Sequence, residues 1–281
     1  MKSLTVREAL KRASSFLSTL DDGSFIAELM LRHVLGWDRT RFFTHMDEEL
    51  SDEQWSLVED MLQKRLSGVP VQYLLGEQEF YGLPFKVDAS VLIPRPDTEI
   101  LVEQVLARRS TEESLKVADI GTGSGAIAVS LAAHSRWRVF AVDIAQESLQ
   151  VAKENSRLNE VEDRITFLQG DMLTPLTEKV HILVSNPPYI PSQVIETLDV
   201  QVRAHEPLRA LDGGPDGLDF YRQLCNGIKD AVYEGGLVAF EVGAGQARQV
   251  EQLLLDTGVI SKTDVVCDLA GIERVVIGEK I

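Results

Sequence analysis

The segment Val117-Ala-Asp-Ile120-Gly121-Thr-Gly123-Ser-Gly125-Ala-Ile-Ala-Val129 decides the fold. A short apolar strand, Val117–Ile120, runs into three glycines at alternate positions, and a helix-forming stretch begins at Ala126. A strand, a glycine loop and a helix in this order are typical of open α/β sheets. Such sheets bind ligands beside the loops at the carboxyl ends of their strands.

Further short apolar runs follow this unit, and helical stretches separate most of them. The predicted strands are Val139–Val142, Ile165–Leu168, Ile182–Val184 and Leu237–Val242. Strands that alternate with helices predict βαβ units in a mostly parallel, doubly wound α/β sheet of the Rossmann-like kind. The last two predicted strands, Asp264–Cys267 and Arg274–Ile277, have only residues 268–273 between them. Because this connection is too short for a parallel crossover, these two strands should pair antiparallel.

Residues 1–75 have a different sequence pattern, without the alternation of apolar and polar residues that strands show. Thr5-Val-Arg-Glu8 is a capping-box pattern ahead of apolar residues at helical spacing, and Ser51-Asp-Glu-Gln54 opens a further run of the same spacing. We therefore predict a small helical bundle over residues 1–75, which by itself could be only a stabilising or oligomerising appendage. Aromatic and β-branched residues interrupted by turn residues predict a β-hairpin linker over 76–94, and residues 95–281 then form the α/β domain.

Composition narrows the classes of protein that the chain can belong to. The 281 residues carry a net charge of −16, most of it on residues 77–281, and so lack the Lys and Arg footprint that holds nucleic acid. The two cysteines, interpreted as buried hydrophobic residues, form no CxxC pair, and the five histidines lack metal-ligand spacing, so no metal site is predicted. No apolar run approaches the ~20 residues that cross a bilayer, and the N-terminus resembles neither a signal nor a transit peptide. We expect a cytoplasmic protein without a membrane partner.

The glycine loop indicates a nucleoside cofactor. Its pattern, Gly121-Thr122-Gly123-Ser124-Gly125, lacks both the GxGxxG spacing of a dinucleotide site and the Lys of a P-loop, which disfavours a pyrophosphate. Asp143 ends the next predicted strand, where its carboxylate can accept hydrogen bonds from both ribose hydroxyls. Asp119 would place negative charge beside a cationic ligand, so S-adenosylmethionine fits better than a phosphate compound. A plain tight turn between a strand and a helix is the alternative interpretation.

Asp171 and Met172 follow the third predicted strand, at a position from which a side chain could reach the adenine ring. Asp171 could equally cap the turn that follows. Both residues are therefore candidates for cofactor binding, with the capping role as the alternative.

The segment Asn186-Pro187-Pro188-Tyr189 follows the predicted strand Ile182–Val184. Two consecutive prolines donate no backbone hydrogen bonds and force an extended, rigid turn. The side-chain oxygen of Asn186 and the carbonyl of Pro187 can each accept one hydrogen of a planar NH2 group, while Tyr189 offers a face for stacking. This turn predicts a substrate with a primary amide or an exocyclic amine, with Asn186 next to the cofactor as well.

Methyl transfer to such a nitrogen needs positioning more than proton transfer. An amide nitrogen is a poor nucleophile because its lone pair is delocalised. Two acceptors that hold both N–H bonds align the nitrogen with the methyl carbon and stabilise the charge that develops on it. No general base is predicted, because the proton can leave after the methyl group arrives.

With these motifs the chain resembles the peptide chain release factor glutamine methyltransferases, the HemK/PrmC family within class I methyltransferases. The resemblance covers nearly the whole chain and is carried by these segments: Arg65–Tyr73, Glu79–Phe85, Ile93–Glu99, Asp119–Gly125, Asn186–Tyr189, Glu206–Gly214 and Glu241–Gly243. It implies a helical domain for docking the release factor, a hairpin linker and a seven-stranded catalytic sheet. It also implies that S-adenosylmethionine methylates the side-chain nitrogen of the Gln in the Gly-Gly-Gln motif, which leaves S-adenosyl-L-homocysteine.

Carried over by position, Gly121–Gly125 and Asp143 match the family's donor-binding residues, and Asn186–Tyr189 match its substrate turn. Met172 stands where some relatives have an aromatic residue, so packing on adenine would depend on a thioether instead. Ile93–Glu99 distinguishes the chain from the related ribosomal-protein glutamine methyltransferases.

Three alternatives remain at this point. One is a ribosomal-protein glutamine methyltransferase, and a second is a nucleic-acid adenine methyltransferase, since an Asn-Pro-Pro-Tyr turn suits any planar amine. The net charge of −16 argues against the second. The third is a binding module that retains the donor without turnover, which measured methyl transfer would exclude.

Overall fold

A computed structural model describes residues 4–281 and divides them into two compact units. The first unit comprises the described residues up to Gly76 together with Val200–His205. The second comprises Glu77–Asp199 and Glu206–Ile281. Residues 1–3, which the predicted helical domain includes, lie outside the described part.

The first unit is a helical bundle. Its helices are α1 (Val6–Phe16), α2 (Gly23–Leu35), α3 (Arg39–Thr44), α4 (Asp52–Leu66) and α5 (Val71–Leu75). Capping boxes are present at the starts of α1 and α4, since Thr5 and Ser51 each exchange hydrogen bonds with the residue three positions on. Apolar side chains from α1, α2 and α4 form the core of the unit.

One feature of the first unit differs from the sequence prediction, which found no strands there. Two strands of two residues each, β1 (Leu4–Thr5) and β2 (Glu49–Leu50), pair antiparallel. A strand of two residues is too short to show alternation, so this pairing leaves no periodic signal in the sequence.

The second unit begins with the hairpin β3 (Glu77–Phe80) and β4 (Leu83–Lys86). The elements that follow are α6 (Pro96–Arg108), β5 (Lys116–Ile120), α7 (Ala126–Ala133), β6 (Arg138–Asp143), α8 (Gln146–Leu158), β7 (Ile165–Gln169) and β8 (Val180–Ser185). After the short helix α9 (Val200–Arg203), which belongs to the first unit, come α10 (Asp219–Ala231), β9 (Val232–Glu241), α11 (Ala247–Asp256), β10 (Ile260–Cys267) and β11 (Glu273–Lys280).

Seven of these strands form one sheet in the order β10-β11-β9-β8-β5-β6-β7. Neighbouring strands from β9 to β7 run parallel, whereas β11 pairs antiparallel with both β9 and β10. The predicted doubly wound sheet and its antiparallel last pair are thus confirmed. Helices α6 and α7 contribute to one apolar layer and α10 and α11 to a second. Of the two cysteines, Cys225 is buried as predicted, but Cys267 is exposed on β10.

The hairpin β3–β4 is packed into the second unit. Phe80 and Phe85 are buried in an edge-to-face contact. The buried amide of Asn155 on α8 accepts from the Lys86 N–H and donates to the Lys86 carbonyl and the Ser124 carbonyl. A single side chain therefore ties the hairpin, α8 and the glycine loop together.

None of the helices between residues 4 and 281 has the length and apolar character that a membrane crossing requires.

Candidate active site

The sheet brings the glycine loop and the Asn-Pro-Pro-Tyr turn side by side. From the central strand β5 the chain moves outward to β6 and β7, and then returns to the other side of β5 with β8. Ligands bind at such a switch point, beyond the carboxyl ends of the strands. Ile120 at the end of β5 pairs with Ser185 at the end of β8, and the Ser185 hydroxyl donates to the Ile120 carbonyl at 2.6 Å.

A cavity of about 280 Å³ lies at this point. The sequence-predicted residues that line it are Gly121, Gly123, Asp143, Asp171, Met172, Asn186, Pro187 and Pro188. Asp119, Thr122, Ser124, Gly125 and Tyr189 do not line it. Side chains that the sequence analysis did not select complete the wall, among them Ser90, Leu92, Ile144, Ser148, Pro207, Arg209, Asp212 and Phe220.

The three glycines of the loop have two different roles. Gly121 and Gly123 have φ values of 72° and 55°, and a Cβ atom on either would meet nothing within 4 Å. They therefore keep the backbone open toward the cavity. A Cβ atom on Gly125 would lie 2.9 Å from the Cβ of Ala152 on α8. Gly125 permits α7 and α8 to approach closely and does not line the cavity, and its assignment to the cofactor stays a prediction.

Asp119 lies behind the loop and is fully buried. Its Oδ2 accepts from the Thr122 hydroxyl at 2.6 Å and from the Ala128 N–H at 3.1 Å. Its Oδ1 is buried and has no hydrogen-bond partner. Burial raises the pKa of Asp119 to about 7. Thr122 and Ser124 are buried supports of the loop as well, since Ser124 offers its carbonyl to Asn155.

Asp143 lines the cavity and fixes the loop opposite it. Its Oδ2 accepts from the Gly123 N–H and its Oδ1 from the Ala145 N–H, both at 2.9 Å. Each carboxylate oxygen has a second lone pair, so both can still accept from a ligand. Burial raises the pKa of Asp143, although the two backbone hydrogen bonds oppose this shift.

Asp171 and Met172 both lie in the cavity wall after β7. The Asp171 carbonyl accepts from the Thr174 N–H at 3.0 Å, so its backbone closes the turn. Met172 has a φ of 50°, which is unusual for a residue with a side chain. Its thioether packs against the second apolar layer.

The Asn-Pro-Pro-Tyr turn is held by residues far away in the sequence. The Asn186 Nδ2 donates to the Thr98 hydroxyl on α6 at 3.1 Å. Glu241, at the end of β9, is buried, and side-chain hydrogen bonds from Thr98 and Asn186 lower its pKa. Burial outweighs them and raises the pKa of Glu241 to about 7. Neither Thr98 nor Glu241 was selected from the sequence for a role, although both stand in segments that carry the resemblance.

Tyr189 is positioned differently from the prediction. The ring is not part of the cavity wall, and burial raises the pKa of its hydroxyl to about 12. Its carbonyl accepts from the Gln246 Nε2 at 2.9 Å, and a Cβ atom on Gly217 would lie only 2.3 Å from the same carbonyl oxygen. In this structure Tyr189 anchors the turn and does not present a stacking face to the cavity.

The segment Glu206–Gly214 forms the remaining wall. Arg95 donates to the buried carboxylate of Glu206 at 2.6 Å, which fixes the start of the segment. Arg209 donates to the Ser90 carbonyl at 2.7 Å and pairs with Glu147. In the sequence, this segment stood out only because it matches the family over its whole length. No local pattern predicts which cavity it borders.

The site offers acceptors and open backbone for an adenosine, and acceptors for an amide nitrogen. Within residues 4–281 no three His, Cys, Asp or Glu side chains are grouped so that they could hold a metal ion.

Comparison with known sequences points to one family. A profile of the PrmC N-terminal domain matches residues 8–76, and a profile of the methyltransferase small domain matches residues 96–206. The release factor glutamine methyltransferase of Bacillus anthracis is 44% identical over 98% of this chain and 99% of its own length. The protein of the same name from Bacillus subtilis is 38% identical over 97% of this chain and 96% of its own length.

Solved structures share the fold at low sequence identity. A methyltransferase from Pyrococcus furiosus covers 72% of this chain and 90% of its own, with a TM-score of 0.55 and 16% identity. A 16S rRNA N2 G1207 methyltransferase from T. thermophilus, solved with AdoMet and guanosine, covers 73% of this chain and 50% of its own, with a TM-score of 0.53 and 19% identity. These likenesses bear on the fold alone.

Proposed function

The chain belongs to the release factor glutamine methyltransferase family, and from that premise we propose which of its residues perform the transfer. It is an S-adenosylmethionine-dependent methyltransferase that methylates a glutamine of peptide chain release factors. The proposed acceptor is the side-chain amide nitrogen of the Gln in their Gly-Gly-Gln motif.

The residues at the switch point fit the cofactor. When bound, S-adenosylmethionine supplies an electrophilic methyl group on a positively charged sulfur. Open space over Gly121 and Gly123 leaves room for the adenosine, and the Asp143 carboxylate has lone pairs left for ribose hydroxyls. The unpartnered Oδ1 of Asp119 is a buried acceptor behind the same loop, and its negative charge favours a cationic ligand. The adenine would contact the part of the cavity wall that Asp171, Met172 and Ile144 form.

Asn186 and Pro187 orient the acceptor nitrogen. Because Nδ2 of Asn186 donates to Thr98, Oδ1 is the atom of this amide that remains to accept from a ligand. One N–H of the substrate amide then donates to Asn186 Oδ1 and the other to the Pro187 carbonyl. The nitrogen forms a bond to the methyl carbon as the sulfur–carbon bond breaks, and one N–H proton leaves to water afterwards. The products are N-methylglutamine and S-adenosyl-L-homocysteine.

The single observation that carries this assignment is the hydrogen bond from Asn186 to Thr98, in which Nδ2 is engaged and Oδ1 is left free. The test is mass spectrometry of a release factor after incubation with enzyme and donor. We expect one methyl group on the Gln of Gly-Gly-Gln. A release factor with Glu at that position should be rejected by a factor of roughly 10⁴, because two acceptors would face a carboxylate with no donor between them.

Two outcomes would overturn the acceptor assignment. One is a methyl group on another residue of the release factor. The other is transfer to a co-incubated ribosomal protein or to DNA while the release factor stays unmodified.

We further propose that residues 1–75 dock the release factor away from the reacting groups. A chain without residues 1–75 should bind the donor with unchanged Kd and methylate a short Gly-Gly-Gln peptide as fast as the full chain does. Its rate on the intact release factor should fall. Full activity of the shortened chain on the intact release factor would remove this role.

A further inference from the structure

A side-chain amide can lose its role as a hydrogen-bond acceptor by rotating, which a backbone carbonyl cannot do. Rotation of the Asn186 amide by 180° exchanges its oxygen for its NH2 group with almost no change in shape. In the rotated state Asn186 would present a donor to the substrate NH2 group, and the acceptor function would be lost. Some part of the protein must therefore favour one of the two orientations.

Thr98 alone does not provide this preference. Its hydroxyl lies 3.1 Å from Asn186 Nδ2, but a hydroxyl can both donate and accept. Facing a rotated amide, the hydroxyl could turn and donate to the oxygen of Asn186 instead. The orientation is fixed only if the Thr98 proton is already engaged elsewhere.

Glu241 is the group placed to engage that proton. It follows Phe240, which pairs with Ser185, the residue before Asn186, and its interactions with Thr98 and Asn186 lower its pKa. In its ionised form, which predominates above its pKa of about 7, the carboxylate can only accept. The Thr98 hydroxyl then donates to Glu241 and presents lone pairs to Asn186. Donation would then run in one direction, from Asn186 to Thr98 and from Thr98 to the ionised carboxylate of Glu241.

The burial of Glu241 is an independent indication of a role. The residue is 3% exposed, and its Oε2 is buried without a hydrogen-bond partner. Carboxylates in such places are costly, and stability alone would favour an apolar residue. Arg274, whose positive charge lowers the pKa of Glu241, is itself paired with Asp97 at 3.0 Å and with Asp268 at 2.9 Å. The negative charge of Glu241 is thus left to act on Thr98 and Asn186.

We propose that Thr98 and Glu241 are positioning residues that hold the Asn186 amide with its oxygen available to the acceptor nitrogen. They act through Asn186 and do not touch the substrate. This inference rests on the proposed function, since it concerns the orientation of the same substrate amide.

The test compares Thr98→Val with Thr98→Ser at saturating donor. Valine keeps the shape of threonine and removes the hydroxyl, so kcat on the release factor should fall about 30-fold while the donor Kd stays within about twofold. Serine restores the hydroxyl and should recover most of the lost kcat. Glu241→Gln, which can donate as well as accept, should lower kcat in the same manner.

Thr263→Val is the matched control. The Thr263 hydroxyl donates to Glu251 at 2.8 Å, so this variant loses the same kind of hydrogen bond in a place without any link to Asn186. Its kcat should stay at the wild-type value. If Glu241→Gln does not fold, the Thr98 pair and this control still decide the question.

A double-mutant cycle separates positioning from a general structural effect. In an Asn186→Ala background, Thr98→Val should change kcat by less than about twofold, because the amide that it orients is gone. An equal loss in both backgrounds would overturn the proposal, and so would full activity of Thr98→Val. If instead the wild type fails to methylate the release factor, the proposed function fails and not this inference.

Discussion

The two loops at the switch point are built in opposite ways. The glycine loop is held by its surroundings in sequence: Asp119 bonds Thr122 and Ala128, and Asp143 bonds Gly123. The Asn-Pro-Pro-Tyr turn is held by Thr98, which lies 88 residues away, and by Glu241 and Gln246. The glycine loop is thus a local structure, whereas the Asn-Pro-Pro-Tyr turn is assembled by the tertiary fold.

This difference implies that changes in the two loops should affect different steps. Substitutions around the glycine loop should change donor affinity, and substitutions around the turn should change the rate of transfer with donor bound. The four predictions below test this separation.

The largest effect is expected for Asn186→Ala. Methyl transfer to the release factor should fall roughly 10²- to 10³-fold, the scale of losing one preorganised contact to the transition state. Calorimetry should show nearly unchanged affinity for S-adenosylmethionine. If donor affinity and rate were lost together, Asn186 would belong to the donor site and the separation would fail.

The reciprocal change is Asp143→Ala. It removes a charged acceptor, and a hydrogen bond to a charged group is worth about 1.5–3 kcal/mol, so the donor Kd should rise at least about tenfold. At saturating donor the kcat should stay close to that of the wild type. An unchanged Kd by calorimetry would count against the ribose assignment.

Two glycines provide a matched pair with smaller effects. In Gly217→Ala the new Cβ atom would lie 2.3 Å from the Tyr189 carbonyl oxygen, so the turn must shift, and we expect kcat to fall about tenfold. In Gly123→Ala the space is open and only the positive φ opposes the substitution, at a cost of about 1 kcal/mol. That variant should weaken donor binding several-fold and leave kcat unchanged. If Gly217→Ala weakened donor binding and Gly123→Ala lowered kcat instead, the separation between the two loops would be contradicted.

The smallest effect concerns pH. Burial raises the pKa of Asp119 to about 7, so folding gains stability from this group that is full below about pH 4 and is lost as the pH rises through 7. A cationic donor favours the ionised carboxylate, so its Kd should decrease about threefold between about pH 6 and 8. Asp119→Asn should remove this part of the dependence. If the donor Kd of Asp119→Asn depended on pH as strongly as that of the wild type, the dependence would belong to other groups.

The sequence predicted the parts of the molecule that depend on local patterns. The seven strands follow from short apolar runs, the hairpin from its turn residues, and the first capping box from residues three positions apart. The short helix α3 and the two-residue strands were missed because they contain too few residues to show a period. Strand β9 begins at Val232, five residues before the predicted start. The exposed residues 233–235 separate the buried Val232 from the apolar run that the prediction relied on.

Within the candidate site the same division holds. Gly121, Gly123, Asp143 and Asn186 were selected from motifs in the sequence, and all four line the cavity. That Gly125 packs on Ala152, that Asp119 lies behind the loop and that Tyr189 anchors the turn are tertiary facts without a local signal. The partners of Asn186 also lie on distant elements, and so no pattern around the turn could identify them.

The long sequence separation between the Asn-Pro-Pro-Tyr turn and its partners has a consequence for the chain during translation. A ribosome adds about 5–20 residues per second, so roughly 5 to 20 s pass between the emergence of Asp143 and that of Glu241. A nascent chain that ends between these two residues already contains every residue of the glycine loop. It lacks the carboxylate that engages the proton of Thr98. The capacity to recognise the nucleoside is encoded early in translation, and the capacity to hold the glutamine is completed only when the fourth parallel strand after the glycine loop has been made.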